Sequence, residues 1–243
     1  MKKLLLLFIS FTFLTHVHSG IFAGKEDIIL NQLHIDSTQY SPDLTAKKTW
    51  PYTPALSILI LAQIIPQEDS WEAQEHQLYL YLIDNETGKI AATFDGDLSA
   101  ATDTMPLTGV SIDTAAYDIK KDSRAFGVRI TYTGQSRANP ITEETLSLFT
   151  YENGKIVRIL KDLPVLETEG MYGGTCEDYF TKTVKTLIVS NKETNSYKNL
   201  TVKAVTKKIF DNAFIEDGQT CPEVKPVITK NTSSLKFNDG EYK

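Results

Sequence analysis

Histidine is almost missing from this chain. The 243 residues hold four, His16, His18, His34 and His76, and the first two fall in an N-terminal leader. His-rich zinc centres are thereby excluded, because a zinc site draws several of its ligands from His or Cys. A Ser-His-Asp or Cys-His nucleophile would have to use His34 or His76. His34 stands in Leu33-His34-Ile35, where a structural role is expected. His76 stands in a polar stretch and is expected in solvent. Cysteine is equally scarce, with Cys176 and Cys221 alone. Long apolar runs are missing too: Leu4 to Leu14 and Ala55 to Ile65 both fall short of the ~20 residues a spanning helix needs. There is no Walker loop, dinucleotide fingerprint, Gly-x-Ser-x-Gly or His-Glu-x-x-His, so the chemistries those motifs carry are not expected. Basic charge is in deficit, with 25 Lys and Arg against 31 Asp and Glu and a net charge of -6. Such a chain repels phosphate backbones, and nucleic-acid binding is not expected.

What is present has an ordinary globular composition, 41% hydrophobic and 23% charged. Residues 1–23 read as a secretory signal peptide. Lys2 and Lys3 supply the positive start, an apolar stretch follows, and cuts after Ser19 or Ala23 both fit. No cysteine lies near either cut, which excludes a lipoprotein anchor. Residues 24–243 are expected to form a single β-rich domain outside the cytoplasm, periplasmic or secreted. There, Cys176 and Cys221 would be oxidised to a disulfide. Closing that loop is worth ~4 kcal/mol in the chain-entropy model.

The rest reads as short strands separated by turn residues. A Pro- and Trp-bearing loop is expected over 39–54. Strands are expected near 56–65, 77–84, 89–95, 110–119, 125–133, 145–151, 155–161, 180–190, 199–208 and 226–237. Asn153-Gly154 marks a tight hairpin, since both residues tolerate positive φ. The strand–turn–strand unit around Gly88-Lys89-Ile90 recurs around Gly154-Lys155-Ile156, and a third unit of similar shape spans Lys185 to Lys207. Leu78, Leu80 and Leu82 oppose Tyr79, Tyr81 and Ile83. Val184, Thr186 and Ile188 oppose Leu187 and Val189. Both strands therefore read as buried on two faces, which stacked sheets provide. The expected fold is mainly β: an irregular propeller-like stack of antiparallel β-meanders, or alternatively a two-layer β-sandwich.

The stretches Leu80 to Ile90 and Leu148 to Ile156 resemble blade hairpins of propeller-like bacterial proteins, in which an Asp-x-x-Thr-Gly-Lys turn links inner strands. The segment Ile112 to Leu160 resembles exported, periplasmic proteins of Gram-negative bacteria. This resemblance covers about half the chain beyond the leader and rests on turn chemistry. It implies a fold and a compartment and brings no catalytic residues.

Few residues offer chemistry. Asp95-Gly96-Asp97 and Asn238-Asp239-Gly240 are oxygen-rich but lack the ligand pattern of a calcium loop, and read as hairpin turns. Ser233-Ser234-Leu235-Lys236 contains a Ser-x-x-Lys in strand-like sequence without its partner motifs. Glu143, Glu144, Glu167 and Glu169 read most simply as solvated, although paired carboxylates for glycoside hydrolysis are recognised only in space. No catalytic residue, metal or cofactor is expected. Trp50, Tyr52, Trp71 and Tyr172 lie in polar or glycine-rich loops. Aromatics there either anchor a partner or a sugar, or plug the ends of the sheets. The expectation is an exported non-enzymatic protein that binds another envelope or secreted protein, as an inhibitor or immunity protein does. Its acidity suits a basic partner. The alternatives are a carbohydrate-binding or carbohydrate-active protein and a structural envelope component.

Overall fold

Strand alternation and turn residues dominate the chain, and among the described residues the computed structural model carries them into thirteen strands and one α-helix. It describes residues 26–65, 75–98, 105–210 and 221–243. The leader read over 1–23 and Trp71 lie outside the described residues. The helix α1 (Glu26–Leu33) precedes β1 (Ala46–Thr49), β2 (Leu56–Ile65), β3 (Glu75–Asp84) and β4 (Ile90–Thr93). Next come β5 (Leu107–Lys120), β6 (Ser123–Thr133), β7 (Ile141–Glu152), β8 (Lys155–Met171), β9 (Tyr179–Thr194) and β10 (Tyr197–Phe210). The chain closes with β11 (Val227–Leu235), β12 (Phe237–Asn238) and β13 (Glu241–Tyr242).

The fold is mainly β, and every pairing is antiparallel between strands adjacent in sequence. β1 to β4 form a four-stranded meander, β5 to β11 a seven-stranded one, and β12 with β13 a small hairpin. The tight turns carry the residues their geometry demands. Glu152 pairs with Lys155 across Asn153 and Gly154, whose φ values are 51° and 78°. That is the two-residue hairpin favoured by strand twist. Asn195-Ser196 and Asp239-Gly240 turn the same way, all with positive φ.

The two meanders share one apolar core. Ile58, Ile60, Leu78, Leu80 and Leu82 from the smaller sheet meet Phe126, Val128, Ile130 and Phe149 from the larger. This is the two-layer arrangement, with unequal sheets of four and seven strands and no repetition of four-stranded blades among the described residues. The opposite face of the smaller sheet is capped by α1, where Ile29 and Leu30 cover Leu59, Leu61, Tyr81 and Ile83. β3 is thus buried on both faces from Leu80 to Ile83, while Tyr79, expected on a buried face, is 36% exposed. A second core lies over the other face of the larger sheet. There Tyr117, Ile119, Leu146 and Leu148 meet Leu200, Phe237 and Tyr242 from the far end of the chain.

Three local expectations are corrected. The loop expected over 39–54 contains strand β1, whose Ala46 pairs with Ile60. Trp50 is 2% exposed and packs edge-on against Phe126 at 5.1 Å, so it belongs to the core and presents nothing to a partner. β9 is not buried on both faces: Val184 and Ile188 are 43% and 40% exposed. No described layer covers them, whereas α1 covers the equivalent face of β3.

Candidate recognition surface

Among the described residues, the β9–β11 segment of the larger sheet has a face that no other element covers. Along β9, Lys182, Val184, Thr186 and Ile188 are exposed while the residues between them are half-buried. Along β10, Lys203, Val205, Lys207 and Ile209 are exposed and their neighbours are covered. The register sets these positions side by side: Val184 opposite Val205, Lys182 opposite Lys207, Thr186 opposite Lys203. It also sets Ile228 opposite Lys207 and Lys230 opposite Val205. The result is one continuous open face of aliphatic side chains interleaved with lysines.

Its charge is opposite to that of the whole chain. β9, β10 and β11 together contain eight lysines and one acidic residue, Glu193, in a protein whose net charge is -6. Lys185 pairs with Glu167 at 2.7 Å, and Lys208 lies 3.8 Å from the ring centre of Tyr179. Lys182, Lys203, Lys207 and Lys230 make no ion pair among the described residues. Aliphatic side chains interleaved with unneutralised cations have the chemistry to meet a surface that is acidic and partly apolar.

One end of this segment is stiffened. Cys176 and Cys221 form a disulfide with Cα atoms 5.3 Å apart, tying the loop before β9 to the segment before β11. Inside the first loop, the Asp178 carboxylate is 6% exposed. It accepts the backbone N–H groups of Gly173, Gly174 and Thr175 and the Thr175 hydroxyl at 2.9–3.3 Å. Those donors, the Gly173 amide foremost, hold its carboxyl below the usual carboxylate range. Gly174 takes φ +73°, a conformation glycine reaches at no steric cost. Gly170 brings β8 against the loop before β7, donating to the Pro140 carbonyl at 2.9 Å. A Cβ there would stand 2.9 Å from Pro140 Cγ. Tyr172, 37% exposed, projects from this braced loop beside Met171 at 38%.

The structure does not unite the aromatic residues singled out from sequence. Tyr52 is 41% exposed and lies under the Arg124 guanidinium at 5.2 Å, at the start of β6. Tyr172 is fixed by a bond from its amide to the Ala138 carbonyl, just past the end of β6. An eleven-residue strand separates the two by ~30 Å. Trp50 is in the core, and only Tyr172 adjoins the stapled loop. His34 is exposed at the end of α1 with φ +55°, and His76 lies on β3 opposite Ile64.

The carboxylates fare differently. Glu143 and Glu167 are directly opposite one another on β7 and β8. With Glu169, Thr181 and Thr183 they line a shallow cleft of about 290 Å³. No group of three metal-ligating side chains occurs among the described residues. Elsewhere the charged groups serve the fold. Arg129 binds Asp113 at 2.8 Å and Glu144 at 2.7 Å, and Tyr117 donates its hydroxyl to Asp113 at 2.9 Å. Burial pushes the Asp113 carboxyl up, but the Ala115 amide, Arg129 and Tyr117 overcome this and hold it below the usual range.

Sequence reasoning passed over the open face because apolar residues alternate on both sides of β9. The signal was there in Lys182-x-Val184-x-Thr186-x-Ile188 and Lys203-x-Val205-x-Lys207-x-Ile209, where lysine shares a side with Val and Ile. Comparison of the chain with protein-family models, with curated proteins and with solved structures finds no match.

Proposed function

We propose that this chain is an exported, non-enzymatic binding protein that recognises another protein of the envelope or the secreted fraction, in the manner of an inhibitor or immunity protein. The open Val–Ile–Lys face of β9–β11 carries this reading. A monomeric surface seldom leaves a continuous aliphatic face in water without a use for it. The disulfide and the braced loop beside it favour recognition, because a surface that is already ordered spends little entropy on binding. The face changes the expected partner. Acidity of the whole chain suited a basic protein, whereas the surface available for contact is basic and suits an acidic one.

The test is capture from the source organism's envelope and secreted fractions. The bait is the disulfide-bonded chain from about Gly24, run beside a Val205→Glu variant. A protein held in near-equal amount by the unaltered chain and lost with Val205→Glu supports the reading. Capture of the same protein by both baits, or of none after crosslinking, refutes it.

A carbohydrate-active protein is the second reading, favoured by the Glu143–Glu167 pair in its cleft. Cross-strand neighbours stand ~5 Å apart at Cβ, close to the carboxylate separation of retaining glycosidases. Hydrolysis of any member of a glycan panel, abolished by Glu143→Gln or Glu167→Gln, would establish it.

A further inference from the structure

Among the described residues β11 pairs with β10 alone, so its other side is a free sheet edge. Its exposure differs from that of the face around it. Val227 and Ile228 are 53% and 60% exposed, against about 40% for Val184, Val205 and Ile209 within the face. Among the described residues no strand lies beyond β11 to cover them.

Natural sheets blunt such edges with proline, bulges, charges or short strands. β11 has little of this. It is nine residues long and contains no proline. Its register with β10 runs unbroken from Lys208↔Val227 to Leu200↔Leu235. Val, Ile and Thr, which favour strands, fill its first half. Lys230 is its one charge.

We infer that β11 is the docking edge of this protein: an extended acidic segment of a partner protein adds to it as an antiparallel eighth strand. The inference rests on the reading of β9–β11 as a protein-binding surface and names how the partner engages it. Main-chain hydrogen bonds along the edge supply affinity, and alternate side chains supply specificity. On the open face the added strand meets Ile228 and Lys230, so it carries an apolar residue at the first position and Asp or Glu at the second. On the opposite face it meets Val227 and takes a second apolar residue there. Lys203 and Lys207, one strand further in, add long-range attraction for the acidic segment. A second copy of this chain fits poorly, because pairing two β11 edges brings together two segments that each hold eight lysines and one acid.

The experiment uses the full disulfide-bonded chain and fluorescein-labelled nine-residue peptides read by fluorescence polarisation. One, the Val–Glu peptide, is built around Glu-Thr-Val-Val, which in antiparallel register sets Glu against Lys230 and the two Val against Ile228 and Val227; the second, the Val–Lys peptide, has Lys in place of that Glu; a third repeats the Val–Glu sequence with alternate backbone amides N-methylated. The Val–Glu peptide is expected to bind, more weakly as salt rises. The Val–Lys and N-methylated peptides are expected not to bind. Lys230→Glu, checked for an unchanged far-ultraviolet circular dichroism spectrum, is expected to weaken binding about tenfold. The N-methylated peptide decides the matter even if that variant misfolds.

The inference is overturned if the Val–Glu peptide fails to bind at about millimolar concentration, or if N-methylation makes no difference. Concentration-dependent dimerisation that masks the edge, or retention on phosphatidylglycerol vesicles without peptide binding, would assign the surface to other occupants. Capture that depends on Val205 while the peptides fail sinks the edge docking and leaves the face reading intact. Absence of any captured partner sinks the face reading itself.

Discussion

Replacing Trp50 by alanine separates the two roles open to a loop aromatic, partner anchor or core. The side chain is 2% exposed, edge-on to Phe126 at 5.1 Å and tilted against Tyr52 at 5.8 Å. Truncation returns ~200 Å² of apolar surface to the reckoning, which at ~25 cal/mol/Å² is ~5 kcal/mol as an upper bound. Loss of the edge-to-face contact adds ~1 kcal/mol. Relaxation of the turn around Trp50 into the vacated space removes part of this. The expected loss is therefore ~3–5 kcal/mol, in line with other buried Trp-to-Ala changes. Equilibrium urea unfolding should be followed by far-ultraviolet circular dichroism, because tryptophan fluorescence changes with the substitution. The midpoint should fall with the slope unchanged. Tyr52→Ala is the control: at 41% exposed, with Trp50 tilted against its ring and a guanidinium over it, it should cost ~1 kcal/mol. A Trp50→Ala loss below ~1 kcal/mol would refute the assignment of Trp50 to the core.

Reduction of the Cys176–Cys221 disulfide, or its double replacement by serine, should lower unfolding stability by up to ~4 kcal/mol, the chain-entropy value for a 45-residue separation; urea curves with and without reductant measure it. Arg129→Met should cost ~2 kcal/mol, below the range for fully buried pairs because its partners are partly solvated, and should raise the carboxyl pKa of Asp113 in an NMR titration. Asp113 is held below its unfolded value, so its contribution is present above about pH 4 and is lost as the pH falls through the folded value; Arg129→Met should flatten the acid limb of stability against pH. At the alkaline end burial pushes the Tyr81 hydroxyl up to about 12. That contribution is present below about pH 10 and fades as the pH rises through the folded value, so absorbance at 295 nm should show Tyr81 ionising late or together with unfolding. Gly127→Ala would place a Cβ 2.7 Å from Leu146 Cδ1 and 3.0 Å from Asp113 Cβ, and should cost ~1–3 kcal/mol by overpacking, measured as a fall in Tm.

Strand positions were legible because the information is local. Leu56 to Ile65 was readable from its run of aliphatic residues, and the β7–β8 hairpin from Asn153-Gly154, whose positive φ values few other pairs tolerate. Helix α1 was missed although Ile29, Leu30 and Leu33 lie one turn apart, since eight residues show too little of a helical period to stand out. β1 was hidden by the prolines and Trp50 around it. The Cys176–Cys221 pair was legible from sequence. The open face was not, because Val184 and Ile188 on one side and Leu187 and Val189 on the other look alike as a string of letters.

β3 and β9 state the difference most clearly. Both alternate apolar residues on two sides. Composition and period determine that each is a strand, because strand geometry involves only neighbouring residues. Whether a side is buried depends on what arrives to cover it. For Leu59, Tyr81 and Ile83 that is α1, and for Leu80 and Leu82 it is the larger sheet. Over Val184 and Val205 no described element arrives, and their apolar surface stays in water. Trp50 goes the other way, buried because Phe126 from a distant strand closes over it. The sequence alone determined most of the strands, the tight Asn153-Gly154 turn and the one available disulfide. Only the tertiary structure decided which apolar side chains became core and which stayed exposed, because burial is a property of pairs of elements and not of either one.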